Sequence, residues 1–334
     1  MRNQQVGSKL NWALGNLDAL PAMPAIAHKL LALPLDTEAG ESQMLRLIEQ
    51  DPQLSARLLG LANAPVLGVG RKINSIRDAA MLLGMKRMKS VAIGMATLSE
   101  LSNQPAGKSF DPHDLWTHSM TVAIVVNTLS RAMPHRIQPD ENLIFLAGLL
   151  HDIGLMALHH LDPEASDELH HQLRLQPKRP IHEVELELLG VTHGYIGAQL
   201  ARHWNLPHQI IEVVELHHTP QTGDPAHCNS LARLVRIAEK LLPDFGIAEH
   251  TNGTLDESDW LDLCIEPARG LELSALINEL AIQVVQMPDT REASDHHEER
   301  TATSVPDGRT RPSILLAQAK AMMRWVSMFF RHRN

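Results

Sequence analysis

The chain reads as an all-α protein, with an N-terminal helical subdomain packed on a second, larger helical domain. Three observations carry that reading. Aromatic residues make up only 3% of the 334 positions although 44% are hydrophobic, so the core rests on Leu, Ile, Val, Ala and Met. Such a core suits helix packing better than sheets rich in aromatic and β-branched residues. Apolar residues recur at helical spacing in almost every segment, and Pro, Gly, Asn and Asp interrupt them at intervals fitting short helices.

Taken in order, Ile26, Leu30, Leu31 and Leu33 mark a first helix that Pro34 ends. Met44, Leu45 and Ile48 belong to a second, stopped near Asp51-Pro52. Leu54, Leu58, Leu59 and Ala62 form a third, closed by Asn63-Ala64-Pro65. Ser75 is a good N-cap for a helix over 76–83, with Asp78 placing negative charge in its first turn. Gly84 then separates it from a helix over 85–98. His28, on the otherwise apolar first helix, is expected to be structural, and Trp116 and Trp204 are expected to be core anchors.

Residues 102–112, Ser-Asn-Gln-Pro-Ala-Gly-Lys-Ser-Phe-Asp-Pro, form a first clear boundary. Beyond them, helices are expected over 114–131, 141–150, 181–189, 195–204, 207–216 and 230–242, with a polar helix and loop over 162–180. Two further helices are expected over 260–265 and 271–285. Residues 286–312 hold almost nothing apolar and read as a disordered linker. In the last segment Leu315, Ala319, Met322, Val326 and Phe329 share one helical face, opposite Lys320, Arg324 and Arg331. This fits a basic amphipathic helix that lies on an anionic membrane, enters a partner's groove or folds back on its own domain. The expected division is a tail over 1–17, a helical subdomain over 18–108, a helical domain over 109–285, the linker over 286–312 and the terminal helix over 313–334.

Net charge is −9, but residues 309–334 carry six basic residues and no acid, which leaves −15 on the rest. An acidic body argues against broad nucleic-acid binding, which needs basic surface to displace counterions. The two cysteines, Cys228 and Cys264, have neither metal-type nor disulfide spacing and fit a reducing cytoplasm. The first residues lack the apolar stretch of a secretory signal, and no continuous 18-residue apolar run suggests a transmembrane span.

Chemistry concentrates where an apolar run, Phe145-Leu-Ala-Gly-Leu-Leu150, ends in His151–Asp152 with Gly154 following. Imidazole and carboxylate are both good ligands for a divalent metal, and on an apolar helix both need a partner. Neighbouring helix positions point about 100° apart, so other helices must complete such a site. His118, His193, the tandem His217–His218 and Glu239 lie on those helices. The pairs His159–His160, His170–His171 and His296–His297 read as surface in a chain with 20 histidines.

His, then His-Asp, then an acid on successive helices resembles the HD superfamily of metal-dependent phosphohydrolases. The flanking text narrows the resemblance to the HDOD family (HD-related output domain). LPAMPAIAHKLLAL at 20–33, IEQDPQLSARLLGLANAP at 48–65 and INSIRDAAMLLGMKRMKSVAI at 73–93 look like that family's opening. AGLLHDIG at 147–154, the stretch 188–218 and LARLVRIAEKL at 231–241 look like its second half. The resemblance covers about residues 18–285 and implies an HD-like fold for the second domain.

It also implies a first metal position at His118, His151, Asp152 and Glu239, with Glu239 standing where catalytic members usually have Asp. The extra methylene moves that carboxylate outward by about 1.5 Å. The distantly related HD-GYP phosphodiesterases add a second metal through histidines matching His193, His217 and His218, with the matching Asp152 bridging. One or two divalent ions (Fe, Mn, Mg or Zn) are therefore expected.

Two departures weigh against turnover: Leu155 follows Gly154 where the HD-GYP enzymes have Lys, and Thr219–Pro225 holds no Gly-Tyr-Pro segment. The leading expectation is a non-catalytic bacterial signalling output or scaffold protein, acting through signalling proteins or a nucleotide-type ligand. The alternative is a metal-dependent phosphohydrolase using His151 and Asp152. Peripheral membrane contact through residues 313–330 is a further expectation.

Overall fold

The computed structural model describes residues 20–63, 72–101, 106–219, 230–242 and 255–285. Among them every regular element is helical. The first five helices are α1 (Ala25–Ala32), α2 (Glu38–Glu49), α3 (Pro52–Ala62), α4 (Ile76–Leu83) and α5 (Met85–Leu101). Their starts follow the sequence chemistry. The side chains of Thr37, Asp51 and Ser75 accept the backbone N–H groups of Gly40, Leu54 and Asp78, satisfying orphan donors at three helix starts. Asn63 closes α3 and clamps the chain beyond it: its Nδ2 donates to the Leu59 and Ile73 carbonyls, while its Oδ1 accepts from the Ile73 N–H.

The remaining helices are α6 (Pro112–Ala132), α7 (Glu141–Leu150), α8 (Ile153–Leu161), α9 (Pro163–Leu175), α10 (Ile181–Leu188), α11 (His193–His203), α12 (His208–Leu216), α13 (Ser230–Leu241), α14 (Glu257–Asp262) and α15 (Pro267–Val285). Helix α6 is central: fifteen of its residues are buried, and it packs against α7, α13 and α15. Helix α5 joins the first group to the second by packing against α1 on one side and α7 on the other. Trp204 adds a second tie, with its indole N–H donating to the Pro21 carbonyl, 2.8 Å away.

Several element boundaries differ from the sequence expectation. Helix α8 was not foreseen; it follows the His-Asp pair after a short break. Helix α11 starts at His193 instead of 195, because Thr192 is its N-cap and accepts from the Tyr195 N–H. Helices α14 and α15 begin earlier than expected, at Glu257 and Pro267, with an Asp256/Asp259 capping box fixing the former. His28 is exposed on α1 and packs into no core.

Glu141–Leu161 is long and apolar enough to cross a membrane by length and composition, yet 94% of the window that qualifies is buried inside the protein. It is core, broken at His151–Asp152 into α7 and α8. The expected linker over 286–312 and terminal helix over 313–334 lie outside the described residues.

Close backbone approach is the packing feature that matters for the site. At Gly148 on α7, a Cβ would overlap the backbone of Ala123 on α6. At Gly154 on α8, a Cβ would overlap the His193 carbonyl and crowd the Gly197 backbone on α11. We expect Gly148→Val to lower stability by about 1–3 kcal/mol through overpacking. Leu175→Ala, at a position 63% exposed, should stay within about 0.5 kcal/mol. Urea unfolding of the two variants checks the contrast.

Candidate metal centre

The histidine and carboxylate side chains singled out in the sequence converge between α6, the α7–α8 joint, α11, the end of α12 and α13. His118 comes from the second turn of α6, and His151 and Asp152 occupy the break between α7 and α8. His193 is the first residue of α11, His217 and His218 follow the last residue of α12, and Glu239 lies on α13. Asp152 stands at the N-cap position of α8 yet makes no cap hydrogen bond. Its carboxylate faces the histidines instead.

The two oxygens of Asp152 divide the cluster. Oδ2 lies 3.0 Å from His151 Nε2 and 3.3 Å from His118 Nε2. His151 Nε2 is in turn 3.1 Å from Glu239 Oε1. On the other side, Oδ1 lies 3.1 Å from His217 Nε2 and 3.6 Å from His193 Nε2, and His218 Nδ1 is 3.9 Å from Glu239 Oε2. His118, His151, Asp152 and Glu239 thus form one set of donor atoms, and Asp152, His193, His217 and His218 a second, each with its atoms within 4.8 Å of one another. The longer side chain of Glu239 is accommodated, since its carboxylate still reaches His151.

Three observations fit a metal here. Ligands bound at about 2.1 Å to one ion sit about 3.0 Å apart at a right angle and about 3.4 Å apart at the tetrahedral angle, close to the separations found. Asp152 Oδ2 is buried without a hydrogen bond, although two imidazole nitrogens lie within 3.3 Å. Finally, the imidazoles oppose one another. His217 Nδ1 donates to the Val213 and Val214 carbonyls at 3.0 and 3.1 Å, and His193 Nδ1 donates to Glu185 Oε1 at 2.7 Å. In the neutral rings both Nε2 atoms then carry lone pairs, and they face each other at 3.3 Å. A shared cation, a proton or an ion, relieves that repulsion. His151 is oriented in the same way, with Nδ1 donating to the Gly148 carbonyl at 2.8 Å.

The electrostatics agree. Burial opposes charge on Asp152, but His151, His118 and His217 outweigh it and hold the carboxyl well below its usual range. Burial likewise opposes charge on His151, yet Asp152 and Glu239 lift its imidazole to about 10. His193 is raised against burial by Glu185, whereas His118 is lowered by burial. The centre is a buried focus of negative potential that favours positive charge.

Glu185 was not singled out in the sequence. It lies on α10, fully buried, and its Oε1 accepts from both the backbone N–H and the Nδ1–H of His193. The reading of the other tandem histidines as surface also needs correction. His159 and His170 are fully buried, with the Phe110 ring 4.9 Å and 4.5 Å from theirs, while their neighbours His160 and His171 are half-buried and exposed. Burial lowers His170 to about 4, so it packs as a neutral ring. The pair at 296–297 lies outside the described residues.

An open cleft of about 660 Å³ between α1, α5 and α7 contains no member of the histidine–carboxylate cluster. Its lysines are engaged, Lys89 with the Leu31 and Leu33 carbonyls and Lys86 with Glu141.

Residues 20–220 match the HDOD domain family. The chain belongs to the HDOD family. It is 25% identical over 207 residues to an uncharacterized protein of Treponema pallidum (strain Nichols), matching 60% of this chain but only 38% of the length of that relative. Among solved structures, an HDOD domain protein of unknown function from Geobacter sulfurreducens superposes with a TM-score of 0.67 at 22% identity, covering 86% of this chain and 99% of the other. A protein of Marinobacter aquaeolei VT8, provisionally described as a signal transduction protein, gives 0.66 at 20% identity, covering 98% of this chain and 66% of the other. A protein of Shewanella amazonensis SB2B, provisionally described as a phosphohydrolase, gives 0.56 at 23% identity over 95% and 98% of the two chains. These likenesses establish the HDOD fold.

The reach of Glu239 makes a direct test. Glu239→Asp installs the residue type usual in catalytic relatives but withdraws the carboxylate by about 1.5 Å. We expect Mn²⁺ binding measured by calorimetry to weaken tenfold or more.

Proposed function

We propose that this HDOD protein is a signalling output or scaffold module that retains a divalent-metal centre and works without substrate turnover. The observation that carries the reading is a mismatch within the centre. Two sets of donor atoms surround Asp152, yet Leu155, one residue after Gly154, is fully buried and offers no charge to a phosphate. Preorganised charge aimed at the transition state is usually the largest single contribution to such catalysis. Apolar packing at this position supports a retained metal fold more than a retained hydrolase.

On this reading Asp152 Oδ2, His118, His151 and Glu239 hold one position, and Asp152 Oδ1, His193, His217 and His218 hold the other. A bound divalent ion would supply Lewis-acid polarisation and an acidified water. The protein's residues orient the donors and exclude water: the side chains of His151 and Asp152 have no exposed area, and His218 keeps 18%. Output would run through signalling proteins or a nucleotide-type ligand, with residues 313–330 available for a membrane or partner surface. The description of the Marinobacter protein is consistent with that role.

The competing reading is a metal-dependent phosphohydrolase, as the Shewanella protein is provisionally described. It is favoured by the separate engagement of the two Asp152 oxygens, since two-metal hydrolysis uses ions about 3.5–4 Å apart around a shared ligand.

Metal analysis of the full-length protein, paired with turnover assays on cyclic dinucleotides and simple phosphoesters, separates the two. We expect bound divalent metal that falls to background in Asp152→Ala, with negligible hydrolysis. Robust turnover with Mn²⁺ or Fe²⁺, abolished by Asp152→Ala, would replace the output reading with the enzyme reading.

A further inference from the structure

We infer that Glu185 is a positioning residue for one half of the cluster, controlling metal retention by the Asp152–His193–His217–His218 set and leaving the other set largely untouched. The inference rests on the metal reading above and goes beyond it by assigning different supports to the two positions.

Glu185 is an unusual acid. It is fully buried on α10, while the alternating Glu183 and Glu187 are exposed and Leu186 beside it is 53% exposed. A buried carboxylate is costly unless its acceptors are used, and one oxygen of Glu185 is used twice, by the two donors of a single residue. The His193 backbone N–H, 3.0 Å away, belongs to the orphan donors at the start of α11, where negative charge also complements the helix dipole. The His193 Nδ1–H, 2.7 Å away, fixes the tautomer and the ring plane, so that Nε2 presents its lone pair to the centre.

The contrast with the other ligands gives the selectivity. His151 and His217 are oriented by main-chain carbonyls, those of Gly148 and of Val213 and Val214, which helix geometry holds whatever the side chains. His193 is oriented by a side chain that substitution can remove. Glu185 shows no such contact with His118, His151 or Glu239, and the Asp152 oxygen facing those residues is the one turned away from His193. Outer-shell partners of this kind typically carry 10–100-fold in metal affinity.

The test uses full-length protein loaded with Mn²⁺, desalted and assayed for bound equivalents, with electron paramagnetic resonance to distinguish coupled from isolated ions. Wild type should hold two equivalents, and Glu185→Ala one, with the spectrum of an isolated ion. Glu185→Gln keeps the shape and an acceptor oxygen but not the charge, and it should weaken the second equivalent tenfold or more while the first is retained. Thr192→Ala controls for a merely structural role, because it removes another cap of α11 without touching the His193 ring, and it should keep both equivalents. Wild-type affinity for both equivalents in Glu185→Gln, or equal loss in Thr192→Ala, would overturn the inference. Wild-type protein that binds no Mn²⁺ would overturn the metal reading first, and this inference with it.

Discussion

The structure depends on burying one carboxylate, that of Asp152, where water cannot solvate it. Removing an ion from water costs several kcal/mol even after relaxation, so the surroundings must return that energy as positive charge, a proton or an ion shared with the groups that face it. Here the return comes from separate pieces of chain: α6 through His118, the α7–α8 joint through His151, α11 through His193 and the end of α12 through His217. The break between α7 and α8 follows from the same demand. Asp152 caps no helix because its oxygens are committed to the imidazoles, and the apolar run splits where it would otherwise continue through 141–161.

Convergence of this kind needs helices closer together than ordinary side chains permit. Gly148 lets α7 touch α6 at Ala123, setting His151 against His118. Gly154 and Gly197 let α8 and α11 meet backbone to backbone, setting His193 against Asp152. The glycine of the His-Asp motif is therefore a spacing device: a Cβ there would push away the helix that carries His193. The position of the clustered side chains and the absence of side chains at the glycines beside them are one constraint.

Much of this was legible in the sequence, for a physical reason. His151 and Asp152 interrupt an apolar helix, and a histidine or acid in such a place has few roles apart from ligation or a buried network. Glu239 and His217 stand out against their apolar neighbours in the same way. Glu185 was not legible. It is one of three alternating acids, Glu183, Glu185 and Glu187, and the neighbouring Leu186 looks the better candidate for burial. Tertiary contact with His193, eight residues on, turns Glu185 inward and leaves Leu186 in water. His159 and His170 were misread for a related reason. Tandem histidines in a chain with 20 of them look solvated, but the Phe110 ring packs at a tilt against one member of each pair, and both of those members, His159 and His170, are fully buried.

Helix α11 connects the centre to the rest of the fold. Its first residue, His193, faces Asp152, and its C-cap, Trp204, donates an indole hydrogen bond to Pro21 ahead of α1. The helix is eleven residues long, about 16 Å, and behaves as a rod over that distance. Its near end is held by Glu185 and the Gly154–Gly197 contact, its far end by a buried indole. The helix thus spans from the histidine–carboxylate cluster to the N-terminal helices, through packing that is already in place.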